Sequence, residues 1–324
     1  LLTIQTSDIG VTAVVPPALA GANCHALVIS RMDSRVSEPH FYCQYSNSER
    51  GRAQLKEIET GSTMKHLNVR DMKLLLLPSP PVEEQRAIAT ALCDTDALLA
   101  ALDRLIAKKR NLKQAAMQQL LTGQTRLPGF QGEWQKLQLG DIIYQVNDGA
   151  TPSTGEPSNF GGSVCWVVIE DIKDEIRSTK NTLTHRGLAA CAATLWPAGT
   201  LIVSTGATIG EVGVLAVPAA TKQGICGVVF AEGRVSTSFM KFWFIQNRMH
   251  LIAKAQGSTI KEVRPPTLKT LDVELPPLPE QMAIAAVLSD MDAELAALEA
   301  RRDKTRALKR GMMQELLTGR TRLV

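Results

Sequence analysis

The chain has 324 residues, room for about two domains with cores of their own. Hydrophobic residues make up 44% and charged residues 21%, and no apolar run approaches the roughly 18 residues that a membrane-crossing helix needs. That composition excludes an integral membrane helix and predicts a soluble, cytoplasmic protein with no membrane partner. The formal net charge of +4 permits nucleic-acid binding without arguing for it.

Residues 1–77 hold short β-rich text. "SDIGVTAVVPPA" at Ser7–Ala18 resembles "ATIGEVGVLAVPAA" at Ala207–Ala220, and Leu1 aligns near Leu201. The chain also opens on leucine instead of methionine, so the reading here is a partial first globular domain whose front half is missing. Cys24 and Cys43 fall in this segment, followed later by Cys93, Cys165, Cys191 and Cys226. No CxxC pair exists among the six, which favours reduced thiols over zinc or redox sites.

Residues 78–126 open with "PSPPVEEQ" and close with "LLTGQTRL". Proline stiffens the approach to a helix, glutamates suit its positive N-terminal end, and a late glycine ends it. The same wording returns over residues 276–322, from "PPLPEQ" to "LLTGRTRL". Placing Gln85 over Gln281 keeps register to the chain's end without a gap, and about 26 of 44 positions are identical. In the same register "GSTMK" (Gly61–Lys65) lies over "GSTIK" (Gly257–Lys261).

Both long segments carry a heptad seam. In the first it runs through Ile88, Leu92, Leu99, Leu102, Ile106 and Leu120, with Lys109 and Lys113 as polar interruptions. In the second it runs through Ile284, Leu288, Met291, Leu295, Leu298, Thr305, Met312 and Leu316, with Arg302 and Lys309 between. Such helices need a partner, and the easiest arrangement is an antiparallel coiled coil of the two copies. The expected fold class is α+β: a tandem unit of a β-rich domain plus a long helix.

Residues 127–275 form the complete globular copy. "SVCWVVIEDI", "GTLIVSTG", "GVLAVP" and "GICGVVFA" read as strands between turn clusters. Ser236 reads as an N-cap of a helix whose apolar face holds Phe239, Phe242, Trp243, Met249 and Ile252, core aromatics and not a base-stacking platform. The polar loops offer short hydroxyl side chains, backbone N–H groups and a few cations, which is what phosphate positioning requires. Candidate DNA-contacting residues are Thr151, Ser153, Thr205, Lys222, Gln223, Ser258, Thr259, Lys261 and Arg264, with Thr63 and Lys65 in the first copy.

Catalytic signatures are missing. There is no GxxxxGK[ST], HExxH or GxSxG, and "STGATIGEVG" has the wrong glycine spacing for a dinucleotide fingerprint. His185 and Cys191 lie close in sequence, a pair read as structural. No catalytic residue and no metal ligand is therefore assigned.

The order "TPS…CWVVIEDI…GTLIVSTGATIGEVGVLAV…KQGI…GSTIKEV…LPPLPEQMAIAAVLSDMD…ALKRGMMQELLTGRTRL" resembles the specificity subunits of type I restriction–modification enzymes, over essentially the whole chain. The resemblance implies two target-recognition domains alternating with two conserved spacer helices. Each recognition domain would read one half of a split site in double-stranded DNA. The helices would dock methyltransferase (modification) subunits, joined by restriction motor–nuclease subunits. S-adenosylmethionine, ATP and Mg2+ would then belong to those partners, and the chain itself would need no cofactor. Many members have Asn-Gln-Gly where Lys222-Gln223-Gly224 stands here.

The expectation is thus a non-catalytic specificity subunit, truncated at its N-terminus, with intact readout only in the second domain. The alternative is a coiled-coil scaffold that binds modification and restriction subunits without reading DNA; an enzyme cut off from its catalytic part ranks third.

Overall fold

The computed structural model describes residues 1–6, 8–19, 21–61, 65–206, 208–257 and 261–323. They form two compact units: Leu1–Lys108 with Leu295–Val324, and Lys109–Glu294. Among the described residues no helix is long and apolar enough to cross a membrane.

The first unit begins with β1 (Leu2–Ile4), β2 (Thr12–Ala13) and β3 (Leu27–Ile29), an antiparallel sheet with β1 in the middle. Next come α1 (Pro39–Asn47), α2 (Glu49–Glu57) and the short α3 (Val69–Met72). Ser48 separates α1 from α2 by capping the latter: its hydroxyl accepts from Gly51 N at 3.1 Å. Thr60 and His66, on either side of "GSTMK" in sequence, form an antiparallel bridge. The long helix α4 (Val82–Leu120) then starts in this unit with Glu83 and Glu84 in its first turn.

The second unit builds its larger sheet from β5 (Ile143–Asn147), after β4 (Gln135–Gln138) has paired elsewhere. It adds β6 (Phe160–Val167), β7 (Glu175–Ile176), β8 (Asn181–Leu183), α5 (His185–Ala190), β9 (Leu201–Ser204), β10 (Val212–Leu215), β11 (Ala219–Thr221) and β12 (Ile225–Phe230). The order is β5-β12-β9-β10-β7, with a separate β11-β6-β8 sheet. After α6 (Thr237–Gln246), α7 (Arg248–Ala253) and α8 (Pro265–Lys269), β13 (Asp272–Leu275) pairs antiparallel with β4. The last helix is α9 (Leu278–Leu316).

Ser236 caps α6 as expected, its hydroxyl accepting from Phe239 N at 3.3 Å. Phe239, Phe242 and Trp243 are buried with Leu139, Val203, Val228 and Val273 in the main core. The single long helix expected here is two helices broken at Asn247. Because the break resets the helical phase, Met249 is 74% exposed instead of lining the core.

Within each unit the two long helices run side by side and antiparallel, as their ion pairs record. In the first unit Asp96 of α4 accepts from Lys309 of α9 at 2.6 Å, and Asp103 faces Arg302 at 3.8 Å and Arg306 at 3.4 Å. In the second, Lys109 pairs with Glu294 at 2.7 Å and Lys113 with Asp292. The seam's polar interruptions therefore meet carboxylates on the facing helix. Such half-exposed pairs add little net energy but fix register. Apolar burial supplies the stability: Ile88, Leu92, Leu102, Ile106, Leu288, Leu295 and Leu316 are buried, while Leu99, Met291 and Leu298 are half-buried.

The repeated words at the helix ends now have a physical reason. Gln281 accepts from Ser236 N at 2.9 Å and donates to the carbonyls of Arg234 (3.1 Å) and Pro276 (2.8 Å). Its counterpart Gln85 accepts from Glu38 N at 2.8 Å and donates to Val36 (3.0 Å) and Pro80 (2.8 Å). Each glutamine stitches the proline approach, the start of a long helix and the entry to a shorter one. The preceding glutamate holds the arginine of a TRL ending: Glu280 takes Arg126, and Glu84 takes Arg322. Gly123 and Gly319 end the helices at φ of 69° and 75°.

Candidate nucleic-acid interface

Four loops of the second unit are tied to one another at one end of its larger sheet. Where β5 ends, Gly149 N donates to Ile225 O at 3.0 Å and Ala150 N to Thr221 O at 2.9 Å. Where β9 ends, Thr205 N and Gly206 N both donate to Gly224 O, at 2.8 and 3.1 Å. Val263 N reaches Thr205 O at 2.9 Å, bringing in the segment that follows the Gln256–Glu262 bridge. Lys222 N donates to Val167 O at 2.9 Å and anchors the fourth loop on β6.

Two glycines make this junction possible. A Cβ on Gly149 would sit 2.3 Å from the carbonyl oxygens of both Thr221 and Lys222, so no larger residue lets the loops approach. Gly224 takes φ of 82°, the left-handed conformation that lets the Lys222–Ile225 turn close.

Of the expected contacts, Thr151, Lys222, Gln223, Lys261 and Arg264 stand exposed on these bonded loops. Lys222 and Lys261 have no ion-pair partner among the described residues, whereas Arg264 lies 4.0 Å from Glu262. Ser153 is exposed too, in a separate turn where its carbonyl accepts from Glu156 N and Asn159 Nδ2. Lys65 belongs to the first unit and pairs with Glu59 at 3.6 Å. Ser258, Thr259 and Thr63 lie outside the described residues.

Thr205 corrects the expectation. It is 1% exposed, with its hydroxyl 3.6 Å from the Cys226 sulfur and both backbone groups bonded to neighbouring loops. A side chain so enclosed holds the loops in place and reaches no ligand.

The sequence reading missed the acid at the centre. Asp148 Oδ1 accepts from Gly149 N at 2.9 Å and Gly224 N at 3.0 Å. Burial pushes its carboxyl above the usual aspartate range, the backbone bonds oppose that rise, and the charge of Glu262 adds to it. The signal was present as an Asp-Gly pair at a strand end, a turn former that also fixes neighbouring N–H groups. Cys226 beside it is no nucleophile, since burial pushes its thiol to about 12. The Cys191 thiol donates to Gly187 O at 3.3 Å in α5, consistent with a structural role. Among the described residues no group of three potential metal ligands occurs.

Chemically, this end offers hydroxyl, amide and cationic side chains on rigidly joined loops around a half-buried carboxylate. That set suits hydrogen bonding to phosphates and base edges.

A family model described as "Type I restriction modification DNA specificity domain" matches residues 1–111 and 131–306. Among curated proteins, the type I restriction enzyme MjaIX specificity subunit of Methanocaldococcus jannaschii is 30% identical over 166 residues, covering 49% of this chain and 38% of that protein. The putative MjaX specificity subunit of the same organism is 22% identical over 267 residues, covering 79% and 62%. The matches thus span less than two thirds of either relative. A solved chain from a study of complex assembly and conformational transition of the type I R-M system superposes with a TM-score of 0.61 at 20% identity, covering 98% of this chain and 81% of that one. The HsdS subunit from Thermoanaerobacter tengcongensis gives 0.53 at 21% identity, covering 95% and 77%. At these identities the structural likeness establishes the fold.

Proposed function

The chain belongs to the type I restriction–modification DNA specificity family, and on that premise we propose that it is a non-catalytic subunit that recognises double-stranded DNA through the bonded loops of its second unit. The observation that carries this reading is the convergence of exposed Thr151, Lys222, Gln223, Lys261 and Arg264 on loops stitched together by backbone bonds. Rigid placement of short polar and cationic side chains is what base and phosphate contacts demand. A second unit acting alone would read one half of a bipartite site.

The long helices would dock methyltransferase subunits, and restriction motor–nuclease subunits would join the assembly. Leu98 and Leu105, exposed seven residues apart on α4, support a docking role, because their direction leaves the seam free to serve the helix pair itself. S-adenosylmethionine, ATP and Mg2+ would bind those partners. The alternative is a coiled-coil scaffold that binds modification and restriction subunits without reading DNA.

The test is a gel-shift series on the chain with cognate methyltransferase subunits, followed by mapping of modified adenines in cells carrying the system. Sequence-dependent retardation with one constant half-site supports the reading. Retardation indifferent to sequence would leave only the scaffold.

A further inference from the structure

The loop junction of the second unit keeps one charge that its own bonding does not explain. Asp148 follows β5, and its Oδ1 accepts from Gly149 N at 2.9 Å and from Gly224 N at 3.0 Å. Oδ2 has no hydrogen-bond partner among the described residues. It is also not one of the enclosed unpartnered atoms, as Thr221 Oγ1 is, so on this half-buried residue it opens onto the loop surface.

Holding the loops together does not require a carboxylate. The two N–H groups need one acceptor oxygen, which an asparagine amide supplies without a charge. The charge adds a desolvation cost, and burial raises the Asp148 carboxyl accordingly. Among the described residues no lysine or arginine pairs with it, and the charge of Glu262 adds to the cost instead of relieving it. The open oxygen therefore lacks a donor, on the same bonded loops that expose Thr151, Lys222, Gln223, Lys261 and Arg264.

A phosphate backbone repels a carboxylate, so the donor that fits this oxygen lies on a base edge. In the major groove only the exocyclic amines donate, N4 of cytosine and N6 of adenine. Guanine and thymine present carbonyl oxygens there, which a carboxylate rejects.

On the reading that these loops meet double-stranded DNA, we propose that Asp148 is a specificity-determining residue whose Oδ2 accepts from the exocyclic amine of one cytosine or adenine in the half-site. Oδ1 meanwhile fixes the carboxylate and, through Gly224 N, the turn that carries Lys222 and Gln223. The cations supply attraction to any phosphate backbone. Asp148 supplies discrimination, because a charge that opposes binding in general is compensated by one kind of base only.

The experiment measures the affinity of the chain, assembled with cognate methyltransferase subunits, for duplexes carrying the mapped half-site. Each adenine is replaced in turn by purine and each cytosine by 2-pyrimidinone, which removes the exocyclic amine alone. One such replacement should weaken wild-type binding by about tenfold. D148N should make that replacement silent. Its inner atom must stay oxygen to accept from two N–H groups, so Nδ2 takes the outer place and turns acceptor into donor. At the same position D148N should therefore favour guanine or thymine, with the circular dichroism spectrum unchanged. If no amine removal weakens wild-type binding, the inference is overturned without recourse to any variant. Equal sensitivity of wild type and D148N at every position also overturns it, leaving Asp148 to hold the loops and nothing more. Both of those results arise with sequence-dependent wild-type binding intact. Its absence instead sinks the DNA reading, and this inference with it.

Discussion

Arg322 donates through Nε and Nη2 to the two carboxylate oxygens of Glu84, each at 2.5 Å. Glu84 stands at the start of the first long helix and Arg322 just past the end of the second. In the other unit Arg126, just past the end of the first helix, holds Glu280, at the start of the second. The duplicated words are therefore complementary, each copy's beginning matched to the other's ending. A planar guanidinium fork suits this use better than lysine would.

The Glu84 pair has a pH signature. The hydrogen bonds from Arg322, more than its charge, hold the Glu84 carboxyl below the usual glutamate range, against the opposing effect of burial. Its folded value is depressed, so its stabilising contribution is complete above the ordinary glutamate value of about 4.3 and is lost as pH falls through the lower folded value. Thermal unfolding of wild type and E84Q across acidic pH checks this. E84Q should melt earlier at neutral pH and converge on wild type as the pH drops.

Gly149→Ala should damage the loop junction. Its Cβ would meet two carbonyl oxygens at 2.3 Å, and backbone cannot yield as a flexible side chain does. Overpacking of this kind costs about 1–3 kcal/mol. Chemical denaturation should register that loss, and sequence-dependent DNA retardation by the assembled complex should weaken with it.

Lys261→Ala should weaken DNA binding for all sequences alike and reduce the salt slope of log K by about one, the signature of a lost phosphate contact. Binding isotherms of the assembled complex at several salt concentrations provide the check. An unchanged slope removes Lys261 from that role.

Leu92→Ala and Leu288→Ala should each destabilise their unit by about 2–5 kcal/mol, the range for emptying a fully buried leucine site. Both side chains are completely enclosed, one packed near Leu316 and the other near Met117. Denaturant unfolding measures the cost. In contrast, Leu105→Ala on the exposed face of α4 should leave stability nearly unchanged and, on the docking proposal, lower retention of methyltransferase subunits in pull-downs.

How much was legible beforehand follows from what sequence periodicity reports. Heptad spacing shows which face of a helix is buried, so Ile88, Leu92 and Leu288 could be read directly. It does not say what a polar seam residue will meet, and Lys113 and Lys309 looked like weaknesses until Asp292 and Asp96 stood opposite. Phase is also only local: the apolar steps through Met249 crossed a helix break at Asn247. Thr205 misled for a different reason. A small hydroxyl beside glycines looks like loop surface, and only the meeting of three loops around it makes it interior. Asp148 was passed over because its importance lies in the two N–H groups it gathers, one of which belongs to Gly224, far along the chain.

The bond between Arg126 and Glu280 has a further consequence for how this protein can change. The two residues bracket the second globular segment in sequence and are held against each other, so that segment enters and leaves its unit through a single closed neck. Any change in the segment between them must still offer Gln281 the backbone groups of Ser236 and Arg234. The clasp thus ties the two ends of the segment together, so that loss of either partner loosens both at once.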